Sequence, residues 1–407
     1  MTDAAALLFA PDGAWCWFQD PRALYINRQH ERTYAGWMTR KGNLEVGAFD
    51  HRTRGVQRVT LKAYGTADDH NSPSLLVLAD GRLMVFYARH NQPGLHCRTT
   101  TRPEDITEWD DEVAIANTQR ATYCHPVYLR DEGRFYVFWR GAEWKPVFAT
   151  SGDGKTWTPP RMLVQEKGRE ADHVRPYIKI VSDGKSAIHF AFTNGHPRDE
   201  PENSIHYCRY ERGEFFRADG TRIGGIDQLP ISFGNSDDNS EVVYNGKTTG
   251  IRAWIWDIAL DVQGLPAVAY TRLPARTDHR YCCARWDGTA WVDREITSGG
   301  RWFPQTPIWS PEREPHYSGG MAFKHANPSV VYVSRPSGGA FEIEKWITAD
   351  NGNSWAGSAL TRESTGANVR PVVPRGYDGE GDHVLWMSGR YVHYTNHRTE
   401  IRLLANP

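Results

Sequence analysis

Long apolar runs, charge bias and a cysteine framework are all missing from this chain. No window of the sequence approaches the roughly eighteen apolar residues of a membrane-crossing helix, so a helical span is excluded. Lys and Arg total 48 against 49 Asp and Glu, a net charge of −1, so overall charge predicts neither a nucleic-acid nor a membrane partner. The six cysteines lie far apart except Cys282 and Cys283, and no CxxC pair occurs. That pattern excludes a disulfide scaffold and leaves buried thiols. The opening stretch "MTDAAALLFAPDGAW" lacks a basic start and a long apolar core. It does not read as a secretory leader, and either a cytoplasmic chain or a mature exported form fits. Extended helical periodicity is missing too.

What the chain has instead is aromatic residues and short β-type runs. There are 16 Trp and 18 Tyr in 407 residues, a load that suits pleated sheets and the stacking of sugar faces. Seven runs share one character: "RTYAGWMTR", "RLMVFYARH", "RFYVFWRG", "SAIHFAFTNGH", "LPAVAYTR", "SVVYVSR" and "HVLWMSGR". Each follows a turn and another apolar run, so each pair reads as a β-hairpin. Five of the preceding runs begin near a proline, at Pro21, Pro73, Pro126, Pro176 and Pro371. A proline is tolerated at the first residue of a strand. The first four prolines are 52, 53 and 50 residues apart. A period near fifty in an all-β chain indicates a β-propeller, here with seven four-stranded antiparallel blades. The whole of residues 1–407 reads as one domain, with an insertion around 197–250 between the fourth and fifth blades. "TADNGNSW" fits the Asp-box turn and "SGDGKTW" is one residue short of it. Both are structural features.

In a hairpin, the start of the first strand and the end of the second lie side by side. In a propeller, that edge of every blade faces the same side. The second strands end at Arg40, His90, Arg140, His196, Arg272, Arg335 and Arg390. The first strands start near Asp20, His70, His125, Arg175, Asp257, Tyr317 and Arg370. The expectation is a basic, aromatic-rimmed mouth for an acidic polysaccharide or oligosaccharide, since Arg forks bind carboxylate and sulfate at two points. Nucleic acid and membrane are not expected partners, and the chain is expected to be a monomer.

The segments "GAWCWFQDPRALY", "DDHNSPSLLV", "DHVRPYIKIVSDGK", "IHFAFTNGHPRDEPENSIHY", "AWIWDIALD" and "NVRPVVPR" resemble the BNR-repeat propeller group that includes the ulvan lyases. The resemblance spans nearly the whole chain. It implies a seven-bladed propeller and cleavage of rhamnosyl–uronate linkages by β-elimination, although some relatives hydrolyse α-rhamnosides. It also implies a catalytic set of two histidines about twenty residues apart, a tyrosine and an arginine. The matching positions are His70, His90, Arg175 and Tyr123, with Tyr177 and Tyr317 as alternatives to the last. Arg175 is expected to neutralise the uronate carboxylate, and a histidine to take the C5 proton. His70, His90 and Tyr123 share the roles of base and acid, undivided by the sequence. His125, Arg140, His196, Asp257, Arg272, Tyr317, Arg335 and Arg370 are expected to line the substrate site, with Asp257 orienting an arginine. Catalysis needs no cofactor on this reading. His279, Tyr281 and Cys283 on one strand face, with His316, admit a structural zinc or calcium. A glycoside hydrolase and a non-catalytic glycan-binding propeller are the rival readings.

Overall fold

The computed structural model describes residues 6–116, 120–170, 174–234, 240–301 and 319–406. Seven antiparallel sheets follow one another along the chain. All seven hairpins foreseen from the repeat are present, each as the first two strands of its sheet. The second strands are buried along most of their length, as in Leu83–Ala88 and Ala187–Thr193. They have a strand on either side and a neighbouring blade on each face, so they read as continuous apolar runs rather than alternating ones. Outermost strands such as Val56–Ala63 are partly exposed.

The first strands of successive blades pack against one another around the ring and form its inner wall. Being edge strands, they can accommodate proline. Pro21, Pro73 and Pro176 precede their strands as expected, but Pro126 and Pro371 lie inside Thr122–Leu129 and Ala367–Val372. Each of these two sits beside a register shift, between Thr122 and His125 or between Val369 and Val372. A bulge leaves the ladder locally unpaired, which is where a missing N–H is tolerated.

Ring closure uses both ends of the described chain. Leu7–Ala10 pairs with Asn396–Ala405 as the outermost strand of the seventh blade, whose other strands are Ala367–Val372 and His383–His393. Phe9 is fully buried there, edge-on to Trp37 of the first blade at 5.7 Å. The stretch between Ile205–Glu211 and the fifth blade's Arg252–Leu260 adds Arg222–Gly225 and Glu241–Tyr244 to the fourth sheet. Both Asp-box turns join the third and fourth strands of a blade. In one, Asp350 accepts from the Ser354 amide at 2.8 Å; in the other, Asp153 accepts from the Thr156 amide at 2.7 Å. Trp157 lies edge-on to Phe86 of the preceding blade at 6.1 Å.

Candidate active site

The site is built on the second blade. Asp68 caps the short turn Asp69–Asn71 that leads into Ser74–Val77, and its carboxylate accepts from the His70 amide. Directly across, His90 follows the second strand Leu83–Ala88, and its amide donates to Asn71 Oδ1 at 2.6 Å. The hairpin therefore brings the two rings together. They stack in parallel, with centroids 4.1 Å apart and planes 4° apart. One carboxylate serves both: Asp68 Oδ1 lies 2.9 Å from His70 Nδ1, and Asp68 Oδ2 lies 2.9 Å from His90 Nδ1. Asp69 Oδ1 lies 3.1 Å from His70 Nδ1. With both Nδ1 atoms engaged by carboxylate, both Nε2 atoms are left for a ligand.

This geometry drives the two histidines apart electrostatically. His70 is held well above the ordinary imidazole range: burial opposes its charge, but the acidic neighbours Cys16, Asp68 and Asp69 outweigh burial. His90 is pushed down to about 4 by burial and then by the charge on His70, with Arg140 adding to the effect. Near neutral pH one ring of the stack is an imidazolium and the other a neutral imidazole. Asp68 stays ionised far below the usual carboxylate range because the two imidazoles outweigh its burial.

Tyr123 completes the cluster, its ring 5.6 Å from that of His70. It sits in the bulge of Thr122–Leu129 with φ of +66°, an unfavourable conformation for an aromatic residue. Bulges re-aim side chains, and here the one in the third blade turns the phenol toward the second. Burial, foremost, holds that phenol protonated.

Arg140 ends Arg134–Arg140 opposite Thr122. Its guanidinium lies 4.7 Å over the Tyr123 ring and donates to Asn91 Oδ1 at 3.0 Å and to the Tyr177 hydroxyl at 3.3 Å. Among the described residues no carboxylate pairs with it. Trp144, 4.9 Å away, flanks it on the other side. The floor is aromatic, with Phe18 4.6 Å from Tyr177 and Trp254 5.3 Å from Tyr177. His196 stacks edge-on against Trp254 at 4.3 Å.

The seventh blade supplies a wall. The hairpin of His383–His393 and Asn396–Ala405 reaches across so that Tyr394 lies edge-on to His70, centroids 4.6 Å apart. Arg370, also in a bulge with φ of +55°, donates to Asp69 Oδ2 at 2.7 Å and to the Trp15 carbonyl at 2.8 Å.

A mouth ringed by seven free cations is not what the chain builds. Arg175 is paired with Asp199 at 2.6 Å and packs 5.7 Å from the Trp144 ring. Arg272 bonds Asp293 on the outer strand of its own blade, and Arg335 bonds Glu344 at 3.2 Å. Arg370 is buried against Asp69. His125 and Asp257 lie below the mouth, in the inner wall. His125 is 1 % exposed and its neighbours are the charged groups Asp20, Lys179, Arg22 and Arg375. Asp257 accepts from His325 at 3.0 Å and from Arg375 at 3.5 Å. Tyr317 and His316 lie outside the described residues. Beside the histidine pair, the cation without a carboxylate partner among the described residues is Arg140, from the third blade.

Sequence reasoning did not single out Asp68, Asp69, Asn91, Trp144 or Tyr394. The "DDHN" stretch held a signal for the first two, since an acid beside a histidine can orient it. Nothing in the sequence around Tyr394 signals contact with residues more than 300 positions earlier. Among the described residues, the groupings of three ligating side chains are Cys16–Asp69–His70 and Asp68–His70–His90. Neither involves His279 or Cys283. A cation in the second would have to displace two Nδ1–H···O hydrogen bonds.

A curated ulvan lyase from Pseudoalteromonas sp. (strain PLSV) is 23% identical over 314 residues, covering 64% of this chain. The match spans 60% of that relative's length. A solved polysaccharide lyase PL25 ulvan lyase bound to -[GlcA(1-4)Rha3S]- superposes with a TM-score of 0.75 at 16% identity, covering 98% of this chain and 96% of the other. The polysaccharide lyase Uly1 gives a TM-score of 0.56 at 10% identity, covering 95% and 90%. These likenesses show the seven-bladed fold. The model of the BNR repeat-containing family matches residues 32–298, well over half of the sequence, and the chain belongs to that family.

Proposed function

We propose that the protein is a polysaccharide lyase that cleaves rhamnosyl–uronate linkages of an ulvan-like acidic glycan by β-elimination, acting as a monomer and without a cofactor. One observation carries the reading: two stacked histidines share a carboxylate beside an arginine that, among the described residues, has no acid partner. The ulvan lyase relative and the similar structure holding a glucuronate–rhamnose sulfate chain support the choice of glycan.

Arg140 takes the role first expected of Arg175. Its guanidinium pairs with the uronate carboxylate and stabilises negative charge developing at C5. Neutral His90 accepts the C5 proton on Nε2, because Asp68 fixes its other nitrogen as the donor. The C5–H electrons form the C4–C5 double bond as the C4–O4 bond breaks. The His70 imidazolium gives its Nε2 proton to the departing O4, and the Tyr123 phenol hydrogen-bonds the same oxygen. Acid and base act from one side of the sugar. The aromatic floor, and Tyr177 and Trp254 within it, stacks on the sugar faces.

Adding ulvan should produce the ultraviolet absorbance of an unsaturated uronate. His90→Ala and Arg140→Gln should each lower kcat by about a hundred- to a thousandfold, with glycan binding kept in the histidine variant. Arg175→Gln should cost less than about tenfold, since Asp199 already satisfies that side chain. New reducing ends without unsaturation would mean hydrolysis, and undiminished turnover in His90→Ala and Arg140→Gln would remove the proposed site.

A further inference from the structure

The hairpin that carries Tyr394 has a second feature farther along its length. Arg390 and Arg398 are directly paired across its two strands, so their side chains leave the same face. Like charges placed directly opposite one another destabilise a sheet. A third guanidinium joins them from the first blade: Arg40 lines the same concavity of about 440 Å³. All three arginines are exposed. The nearby acids are otherwise engaged, Asp12 accepting from the Arg40 amide at 3.1 Å and Glu400 from Arg402 at 2.6 Å. Among the described residues no carboxylate pairs with the three guanidiniums. The backbone beneath them is kept close by Gly389, at φ of +135°, where an added Cβ would meet the Arg398 carbonyl at 2.5 Å.

We propose that this concavity between the seventh and first blades is a distal subsite for an oxyanion on the glycan, either a sulfate ester or a uronate carboxylate. The proposal rests on the lyase reading and extends it along the chain. Arginine forks suit both oxyanions, and an anion between Arg390 and Arg398 turns their repulsion into attraction. Tyr394, in the turn, lies four positions beyond Arg390, about 13 Å at the usual strand rise. Tyr394 touches the histidine pair, so a polymer cleaved at the histidines can reach the arginines a few sugar rings away. The subsite thus favours long chains over short ones.

The test compares wild type with Arg390→Gln/Arg398→Gln and, separately, Arg40→Gln from the other blade. Substrates are ulvan, chemically desulfated ulvan and a short ulvan oligosaccharide. With ulvan, KM should rise roughly 5- to 30-fold in the double variant while kcat holds. With the short oligosaccharide both constants should match wild type, and thermal stability should not fall. A KM effect that disappears on desulfated ulvan assigns a sulfate subsite, and one that persists assigns a carboxylate subsite. Unchanged KM on ulvan in both variants overturns the proposal. Absence of elimination by the wild-type protein would instead overturn the lyase reading, so the two failures are distinguishable.

Discussion

Asp68 is the residue on which the chemistry turns. Its two oxygens reach two imidazoles, yet the effects differ: His70 is raised and His90 is lowered to about 4. Two rings this close titrate as a pair, and the second proton is resisted by the first. The active form on our reading carries one proton on the stack. Activity therefore rises as pH climbs through about 4, where His90 becomes neutral. It falls where His70 finally loses its proton, above the ordinary imidazole range. Asp68→Asn removes one of the charges that hold His70 up, so the alkaline limb of kcat/KM should move toward lower pH. A pH profile of the variant checks this, and an unmoved alkaline limb would show that Asp68 does not set the His70 value. Arg140 and Arg175 show why residue type alone misleads. Arg140 ends a strand and Arg175 lies just before one, and only the partner decides: Asp199 occupies Arg175, whereas Arg140 meets Asn91, Tyr177 and aromatic faces.

At the scale of strands, bulges in the inner wall do the aiming. The shift between Thr122 and His125 presents Tyr123, that between Ile255 and Asp257 falls at the acid that accepts from Arg375, and that between Val369 and Val372 presents Arg370. Each interrupts the ladder of a first strand, and the side chain at the interruption is re-aimed. Blades also meet closely. Gly36, in Glu31–Met38 of the first blade, faces Pro73 at the entry to the second, and a Cβ there would come within 2.4 Å of the ring. Both contacts are rigid, so the blades must separate to admit a methyl group. Gly36→Ala should destabilise the protein by about 1–3 kcal/mol, read as a lower denaturant midpoint. It should also lower turnover, because Pro73 directly follows the turn that holds His70. Unchanged stability would mean that the first two blades tolerate relative movement.

For the molecule as a whole, closure is the decisive event. The outermost strand of the last blade comes from Leu7–Ala10, which ties the start of the ring to its end. Phe9 anchors that strand, so Phe9→Ala should cost about 3–5 kcal/mol, measured by equilibrium or thermal unfolding. A loss under about 1 kcal/mol would show that closure depends little on this side chain. Much of this architecture was legible in the sequence. Seven apolar strand pairs with turns between them, a period near fifty and the Asp boxes reflect local physics: backbone pairing, turn chemistry and burial on both faces, each encoded within a few residues of where it acts. His70 and His90 could be joined for the same reason, because one hairpin sets their separation. The sequence could not decide which cations are free, since Arg272, Arg335 and Arg370 meet acids from other strands or other blades. Nor could it show that Tyr394 covers a histidine 324 residues away, or that three arginines from two blades share one concavity. Charge and shape at a site are sums over neighbours, and ring closure chooses those neighbours from distant parts of the chain.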